Sequence, residues 1–386
     1  MSDSTETNQQ KIPLALKIVA ALFVFGGVAA LPELVRVMIA LVGELQTGTT
    51  KVSTLVVFGI LIVLLTISAV TFIIFGLRIL RNKRKHAAHA AYTLVAVTIL
   101  VILADMMLFG INLNLIGYGI ELAILIALMS YLDPTLAEER ALQRKIRKMN
   151  KEEQGEAERL AEEARPKKGY ITLNFFNIFW IFVVCCVLGL LLEDIFHIMK
   201  FGEYQDRAGM LFGPFSPIYG FGAVLMTVAL NRFHDKPLIV IFLVSAVIGG
   251  GFEFFTSWIM EFAFGIRAWD YSGTFLSIDG RTNAVFMVAW GALGIMWIKL
   301  LLPRLLKFIN MIPWNWRYGV TVVCAVFMLI NGLMSLQSID CWYQRMSGNE
   351  PSTPIQQFYA NHYDDDYMAN RFQTMTMNPE DATRVK

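Results

Sequence analysis

Long apolar runs separated by short polar segments dominate the chain. Nine of these runs are close to the roughly 20 residues that a helix needs to cross the hydrocarbon core of a bilayer. The pattern therefore predicts an all-α polytopic integral membrane protein with about nine transmembrane helices. The predicted spans are 13–31, 52–78, 91–111, 113–132, 173–199, 216–232, 237–263, 282–302 and 317–338.

Composition supports this assignment. The 386 residues are 56% hydrophobic and 17% charged, and the mean hydropathy is +0.53. Soluble globular chains are typically about 25% charged, so an ordinary soluble enzyme is excluded. The four cysteines lie within or just after apolar runs and indicate no disulfide framework. The first span fits either a cleaved signal peptide or a retained anchor, and the apolar residues that continue from Leu34 to Leu45 favour the anchor.

Basic residues are concentrated in alternate connections between the spans. They are dense from Arg78 to Lys85 and from Arg140 to Lys168. Because Lys and Arg resist translocation, the side that carries most of them is predicted to be cytoplasmic. The amino terminus is then cytoplasmic. Because the number of spans is odd, the carboxy-terminal tail lies on the opposite, extracytoplasmic side of the cell membrane.

One strongly charged segment divides the chain. Residues 134–169 are rich in Ala, Glu, Lys and Arg at helical spacings, which predicts a charged cytoplasmic helical linker. The linker is either a solvated connection or a docking site for a cytoplasmic partner. It separates a four-helix membrane unit, residues 1–133, from a five-helix membrane domain, residues 170–340. An acidic extracytoplasmic tail, residues 341–386, follows.

Ionisable side chains inside the apolar runs are the clearest functional signal, because each costs about 2.5–3.5 kcal/mol at a helix centre. In the fifth span, Glu193 and His197 lie one turn apart, a spacing at which a carboxylate and an imidazole can share a proton. In the seventh span, Glu253, Ser257 and Glu261 repeat that spacing along one side of the helix. Glu253 is the deepest of these acids and the first candidate for a functional residue.

Three further features inside the spans leave alternatives open. The third and fourth spans carry one acid each, Asp105 and Glu121. Near a membrane interface, where the penalty falls, a structural pair or a wet helix end accounts for either acid, and a functional role is the alternative. Gly249-Gly250-Gly251, just before Glu253, predict close approach of a neighbouring helix or a locally opened backbone.

Two loops on the predicted outer side add turn-forming and polar residues. Arg207 precedes the first, in which Pro214 and Pro217 forbid a continuous helix. Ser216 followed by Pro217 fits an N-cap and a first helical position. The second loop, 267–283, combines interfacial aromatic residues with charged ones. The candidate residues of a substrate or proton pathway are Glu193, His197, Arg207, Glu253, Ser257, Glu261, Asp270 and Arg281.

Several short motifs occur in a fixed order over residues 174–310. They are Glu193, Arg207, Gly213-Pro214, Pro217-Ile218-Tyr219-Gly220, Glu253, Glu261, Trp269-Asp270-Tyr271-Ser272 and Gly280-Arg281. This segment resembles the membrane family known as putative ABC-transporter type IV, or CmpB-like, permeases, and residues 1–170 do not. The resemblance implies a multi-pass membrane protein with transport as the expected function. Many members of the family are bacterial, so a bacterial cell membrane is the expected location. The resemblance implies no cofactor and no catalytic residues.

Three functions follow as alternatives. The first is a permease component with a polar outward-facing cavity built by helices five to eight, acting on a small-molecule or lipid substrate. Because the chain has no GxxxxGK[ST] phosphate loop, a separate subunit would supply ATP hydrolysis. The second is a non-catalytic scaffold or sensor that binds a partner through its tail or linker. The third is a membrane-embedded enzyme acting on lipid or envelope precursors, disfavoured by the lack of a recognisable catalytic motif. No metal, cofactor or nucleic acid is expected.

Overall fold

The computed structural model describes residues 14–48, 50–132, 170–171, 173, 175–312 and 314–384. The predicted linker, 134–169, lies outside the described residues. The chain divides into two compact units, Met1–Arg144 with Arg384–Lys386, and Lys145–Thr383. We refer to them as the amino-terminal and carboxy-terminal units.

The amino-terminal unit is built around its third helix. Its described helices are α1 (Leu14–Ala29), α2 (Leu31–Thr47), α3 (Val52–Leu80), α4 (Arg84–Phe109) and α5 (Asn114–Leu132). Helix α3 packs against both α1 and α4, and α5 packs against α4. Small residues let α1 and α3 approach closely, since a Cβ added at Gly27 would lie 2.7 Å from the Ala69 carbonyl oxygen.

The carboxy-terminal unit contains the remaining helices. They are α6 (Phe175–Phe201), α7 (Pro217–Leu230), α8 (Leu238–Phe264), α9 (Ala284–Met296), α10 (Leu302–Ile309), α11 (Trp314–Met346), α12 (Pro354–His362) and α13 (Asp365–Arg371). A π-helical turn, Trp297–Leu301, joins α9 to α10. Strand β1 (Ile266–Arg267) pairs antiparallel with β2 (Thr376–Met377).

Two loops and the tail of this unit meet at one end, which we call the loop end. It comprises loop 202–216, loop 265–283 and the chain after Met346. The pairing of β1 with β2 ties the tail to the second loop, and Arg371 Nη1 binds Asp206 Oδ2 of the first loop at 2.7 Å. The tail is therefore folded against both loops, and helix α11 continues beyond residue 340, where the tail was predicted to begin.

Within the described residues, seven helical segments are long and apolar enough to cross a membrane. They are Leu16–Thr47, Val52–Leu80, His86–Phe109, Phe175–Phe201, Leu238–Phe264, Ala284–Ile309 and Gly319–Met346. Shorter apolar helices, Asn114–Leu128 and Pro217–Leu230, stand at the fourth and sixth predicted spans. The described chain is an all-α multi-pass membrane protein.

Candidate functional site

Three carboxylates of the membrane helices are contacted by residues of the loop-end segments, and each forms its own hydrogen-bonded cluster. In the Glu193 cluster, Arg207 Nη1 donates to Glu193 Oε1 at 2.6 Å and the Tyr219 hydroxyl donates to Oε2 at 2.8 Å. Helix α6 supplies the acid, loop 202–216 the arginine and α7 the tyrosine. Both carboxylate oxygens are therefore satisfied, one of them by a charge-assisted bond.

The Glu253 cluster contains no arginine or lysine. The Tyr271 hydroxyl donates to Glu253 Oε1 at 2.8 Å, and the Thr282 hydroxyl donates to Oε2 at 2.9 Å. Glu253 is 8% exposed, and both donors come from loop 265–283. An ionised carboxylate in an apolar helix is costly unless its charge is balanced. This cluster satisfies the hydrogen bonds of Glu253 without balancing a charge.

The Glu261 cluster is the most highly charged of the three. Arg281 Nη1 donates to Glu261 Oε2 at 2.7 Å, and Arg267 Nη2 donates to Oε1 at 3.0 Å. Arg281 also donates to the buried Ser257 hydroxyl at 3.4 Å, which links this cluster to the turn of α8 between the two glutamates. Arg267 binds Asp270 as well, at 3.2 Å. One carboxylate is thus held between two arginines of the same loop.

The hydrogen bonds and ion pairs of loop 265–283 shift the pKa values of three of its side chains. Burial raises the pKa of the Tyr271 phenol, and the Glu253 and Glu193 carboxylates raise it further, so the phenol remains a hydrogen-bond donor. Hydrogen bonds from Ser272, followed by the charge of Arg267, lower the pKa of Asp270. Glu261 raises the pKa of Arg267. The loop therefore presents neutral donors to Glu253 and cations to Glu261.

Glycines in the helices position these clusters by allowing close packing. A Cβ at Gly249 would collide with the Trp290 ring of α9, and one at Gly250 would lie 2.7 Å from Met287 Cγ. The predicted close approach is confirmed at these two positions, whereas Gly251 has nothing within 4 Å. Gly189 of α6 similarly leaves room for the Tyr219 ring, which must pass it to reach Glu193.

The motif residues of the two loops fix the conformation of the loop backbone. Gly213 has φ +74° and Gly280 has φ +68°, the left-handed region that favours glycine. Ser216 is the N-cap residue before Pro217, as predicted, although its side chain makes no capping bond. Trp269 Nε1 donates to the Arg281 carbonyl at 2.9 Å, which closes loop 265–283 on itself. Of the other motif residues, Gly220 faces the Phe182 carbonyl of α6, and Pro214 is exposed.

One predicted pairing does not form. The His197 ring bonds the Glu203 carbonyl through Nδ1 at 2.9 Å and contacts the Phe201 ring, while Glu193 is occupied by Arg207 and Tyr219. The i, i+4 spacing allowed the pair, but the loop arginine, a permanent cation with several N–H donors, is the partner that binds the carboxylate. His197 is therefore separate from the three clusters.

Sequence reasoning missed the residues that hold loop 202–216 in place. On α11, Asn331 accepts from the Phe212 N–H at 3.1 Å and donates to the Phe212 carbonyl at 2.8 Å, and Ser335 Oγ accepts from the Leu211 N–H at 2.7 Å. An amide and a hydroxyl one turn apart in the last apolar run were the available signal. Arg371 of the tail donates to the Met210 and Gly213 carbonyls, and no local pattern marked it.

Comparison with known proteins identifies one family over this part of the chain. The model of the family described as putative ABC-transporter type IV matches residues 180–336. The resemblance inferred from the motifs is confirmed, and the match runs further than the motifs, into α11, while residues 1–179 lie outside it. It contains all three clusters. No curated protein and no solved structure matches the chain.

Proposed function

We propose that the chain is a permease component whose carboxy-terminal unit is the translocating part, captured in a state closed at the loop end. The transmembrane arrangement is nine spans, four in the amino-terminal unit and five in the carboxy-terminal unit. The amino terminus faces the cytoplasm and the loop end faces the outside of the cell. Energy from ATP, where it is used, comes from a separate subunit, for which the charged segment 134–169 is the proposed docking site.

The observation that carries this proposal is the origin of the hydrogen-bond donors. Among the described residues, loops 202–216 and 265–283 supply five of the six donors within 3.0 Å of the three glutamates, and Tyr219 of α7 supplies the sixth. Trp290 of α9 also interacts with Glu253. Polar residues that merely hold helices together would pair one helix with another. Here they hold loops onto helices, so movement of the two loops would expose all three carboxylates to one outward-facing cavity.

Within that cavity the three glutamates have different roles. Glu193 and Glu261 are balanced by arginines, whereas Glu253 has neutral partners and is the proposed proton-binding or cation-binding residue. Arg207 Nε and Asp194 Oδ1 are buried atoms that lack a hydrogen-bond partner within the described residues. A donor and an acceptor of this kind suit a zwitterionic or cationic solute. Asp270 and Ser257 belong to the same proposed pathway.

Transport is tested by comparing the solutes inside and outside cells that lack or carry the protein. Untargeted mass spectrometry should find at least one solute whose distribution changes on deletion and is restored by the wild type. Glu253→Gln should fail to restore it, and Glu203→Gln, a change at an exposed loop position, should restore it. Restoration by both variants would contradict the proposed pathway, and accumulation of a lipid precursor would instead favour an enzyme.

A non-catalytic scaffold or sensor is the second candidate, and the closure of all three clusters favours it. In that case the loop end stays shut, and the tail or the linker binds a partner protein. Deletion would then leave every solute distribution unchanged, and the partner would be recovered by crosslinking to the tail of the full chain. The two candidates therefore differ in whether the loop end ever opens.

A further inference from the structure

The amino-terminal unit has its own line of polar side chains between α4 and α5. Thr98 and Asp105 are seven residues apart on α4, and Tyr118 and Glu121 are three residues apart on α5, so each pair lies on one face of its helix. The Thr98 hydroxyl donates to Glu121 Oε1 at 2.5 Å. These residues follow the helix axis from one end of the unit towards its middle.

Helix geometry sets the depth of the Thr98–Glu121 contact. Thr98 is 11 residues before the end of α4 at Phe109, which is about 16 Å at a rise of 1.5 Å per residue. The hydrocarbon core of a bilayer is about 30 Å thick, so a point about 16 Å along a spanning helix is close to its middle. Glu121 is therefore opposite the centre of a membrane span and not at a wetted helix end.

The charges around this contact are already paired. Arg36 of α2 donates to Glu33 at 2.6 Å and to Asp105 at 3.3 Å, and Asn112 donates to the other oxygen of Asp105 at 2.6 Å. Asp105 is 0% exposed and has a cationic partner. Within the described residues, the only side-chain partner of Glu121 is the neutral Thr98 hydroxyl. Asp105 therefore has a positively charged partner to balance its charge, whereas Glu121 has only a neutral hydrogen-bond donor.

Tyr118 connects the two acids. Its hydroxyl is buried and has no hydrogen-bond partner within the described residues. The phenol interacts electrostatically with Glu33, Arg36, Asp105 and Glu121. The Arg384 side chain lies against Gly110 at the Asp105 end of the same unit. A buried hydroxyl without a partner is uncommon because leaving it unpaired is costly. A buried hydroxyl that interacts with both Asp105, which has a cationic partner, and Glu121, which has a neutral one, suits proton exchange.

We propose that Glu121 is a proton-binding site at mid-membrane, neutral at physiological pH, and that its proton exchanges with water through Tyr118 from the Asp105 end of the unit. In this arrangement Thr98 donates to the carbonyl oxygen of the acid, and the acid keeps its own proton on the other oxygen. The ligand is a proton, and the site lies outside the residues matched by the transporter family, 180–336. It is independent of the permease proposal for the carboxy-terminal unit.

A hydrophobic carbodiimide distinguishes a protonated acid from an ionised one, because it adds as a whole to a protonated carboxyl and increases the peptide mass by the mass of the reagent. In membranes at neutral pH, dicyclohexylcarbodiimide should label Glu121, which is half-buried and therefore within reach of the reagent. Asp105 in the same protein is the internal control and should stay unlabelled. The wild-type infrared spectrum should show a carboxylic-acid C=O band that Glu121→Gln lacks. Labelling of neither acid, together with an unchanged band in Glu121→Gln, would overturn the proposal.

The exchange route has its own readout. After transfer to D2O, the wild-type band of Glu121 should shift quickly, whereas Tyr118→Phe should keep the band and shift more slowly. Retention of the band shows that the variant has folded and still holds the proton. An unchanged rate of shift in Tyr118→Phe would overturn the route through Tyr118. Neither result depends on Glu253, so this test and that of the permease proposal can fail separately.

Discussion

At the scale of single residues, the two arginines that bind Glu261 are a matched pair. Arg281 is 13% exposed and binds at 2.7 Å, whereas Arg267 is 48% exposed and binds at 3.0 Å. Breaking a buried ion pair leaves a charge without a partner and costs about 3 kcal/mol or more. An exposed pair is worth about 0–1 kcal/mol.

We therefore expect Arg281→Gln to lower the free energy of unfolding by about 3 kcal/mol and Arg267→Gln by less than about 1 kcal/mol. Thermal unfolding of the purified protein in detergent measures both. The same change in unfolding temperature in the two variants would mean that the burial of an arginine does not determine how much its ion pair with Glu261 contributes to stability. Asp270→Asn, which removes the second partner of Arg267, should be close to neutral.

Tyr271 gives a prediction about alkaline pH. An unfolded tyrosine ionises near pH 10, and the folded pKa of Tyr271 is raised above that value by burial and by Glu253. Above about pH 10 the folded state keeps a proton that the unfolded chain loses, so this part of the stability is present below pH 10 and is lost as the pH rises.

We expect Tyr271→Phe to be less stable than the wild type at pH 8, because Glu253 loses a donor. We also expect a smaller fall in its unfolding temperature between about pH 8 and pH 11. The control is Tyr367→Phe, at a tyrosine that is 40% exposed. If both variants follow the wild-type pH dependence, the Tyr271 phenol does not contribute through its proton.

At the scale of helices, the three consecutive glycines of α8 provide a test within one turn. A Cβ at Gly249 would collide with the Trp290 ring, and a Cβ at Gly251 would meet nothing within 4 Å. Gly249→Ala should destabilise the protein by about 1–3 kcal/mol, as overpacking does. Gly251→Ala should be neutral or stabilising by about 0.4–1 kcal/mol. Thermal unfolding compares them, and equal effects would contradict the close packing of α8 on α9.

The helices could be predicted from the sequence because the length and hydrophobicity of each apolar run are local properties. The glutamates could be recognised as candidates for the same reason, since an acid in an apolar run is locally anomalous. The partners of those acids could not. Arg207 and Tyr219 reach Glu193 across 14 and 26 residues, and His197 was the expected partner because it alone lies at helical spacing. Distant pairings are decided by loop conformation, which local patterns do not encode.

At the scale of the carboxy-terminal unit, the tail fastens both loops. Arg371 donates to the Met210 carbonyl at 2.9 Å, to the Gly213 carbonyl at 2.6 Å and to Asp206 Oδ2 at 2.7 Å. Arg371→Gln should therefore speed proteolysis of loop 202–216 without changing the helical circular dichroism. Glu350→Gln, at an exposed position of the same tail, is the control. Unchanged proteolysis in Arg371→Gln would show that the tail does not hold this loop.

In the proposed permease, the two loops close a pathway along α8, and the pathway opens during transport. Ser257 lies beneath the loops, is 2% exposed, and binds Arg281. In a chain whose native cysteines are replaced, Ser257→Cys should react slowly but measurably with a membrane-impermeant maleimide added from outside. It should react faster when Glu261→Gln weakens the loop contact. Complete protection of Ser257→Cys in both backgrounds, while Glu350→Cys labels fully, would show that the pathway does not open.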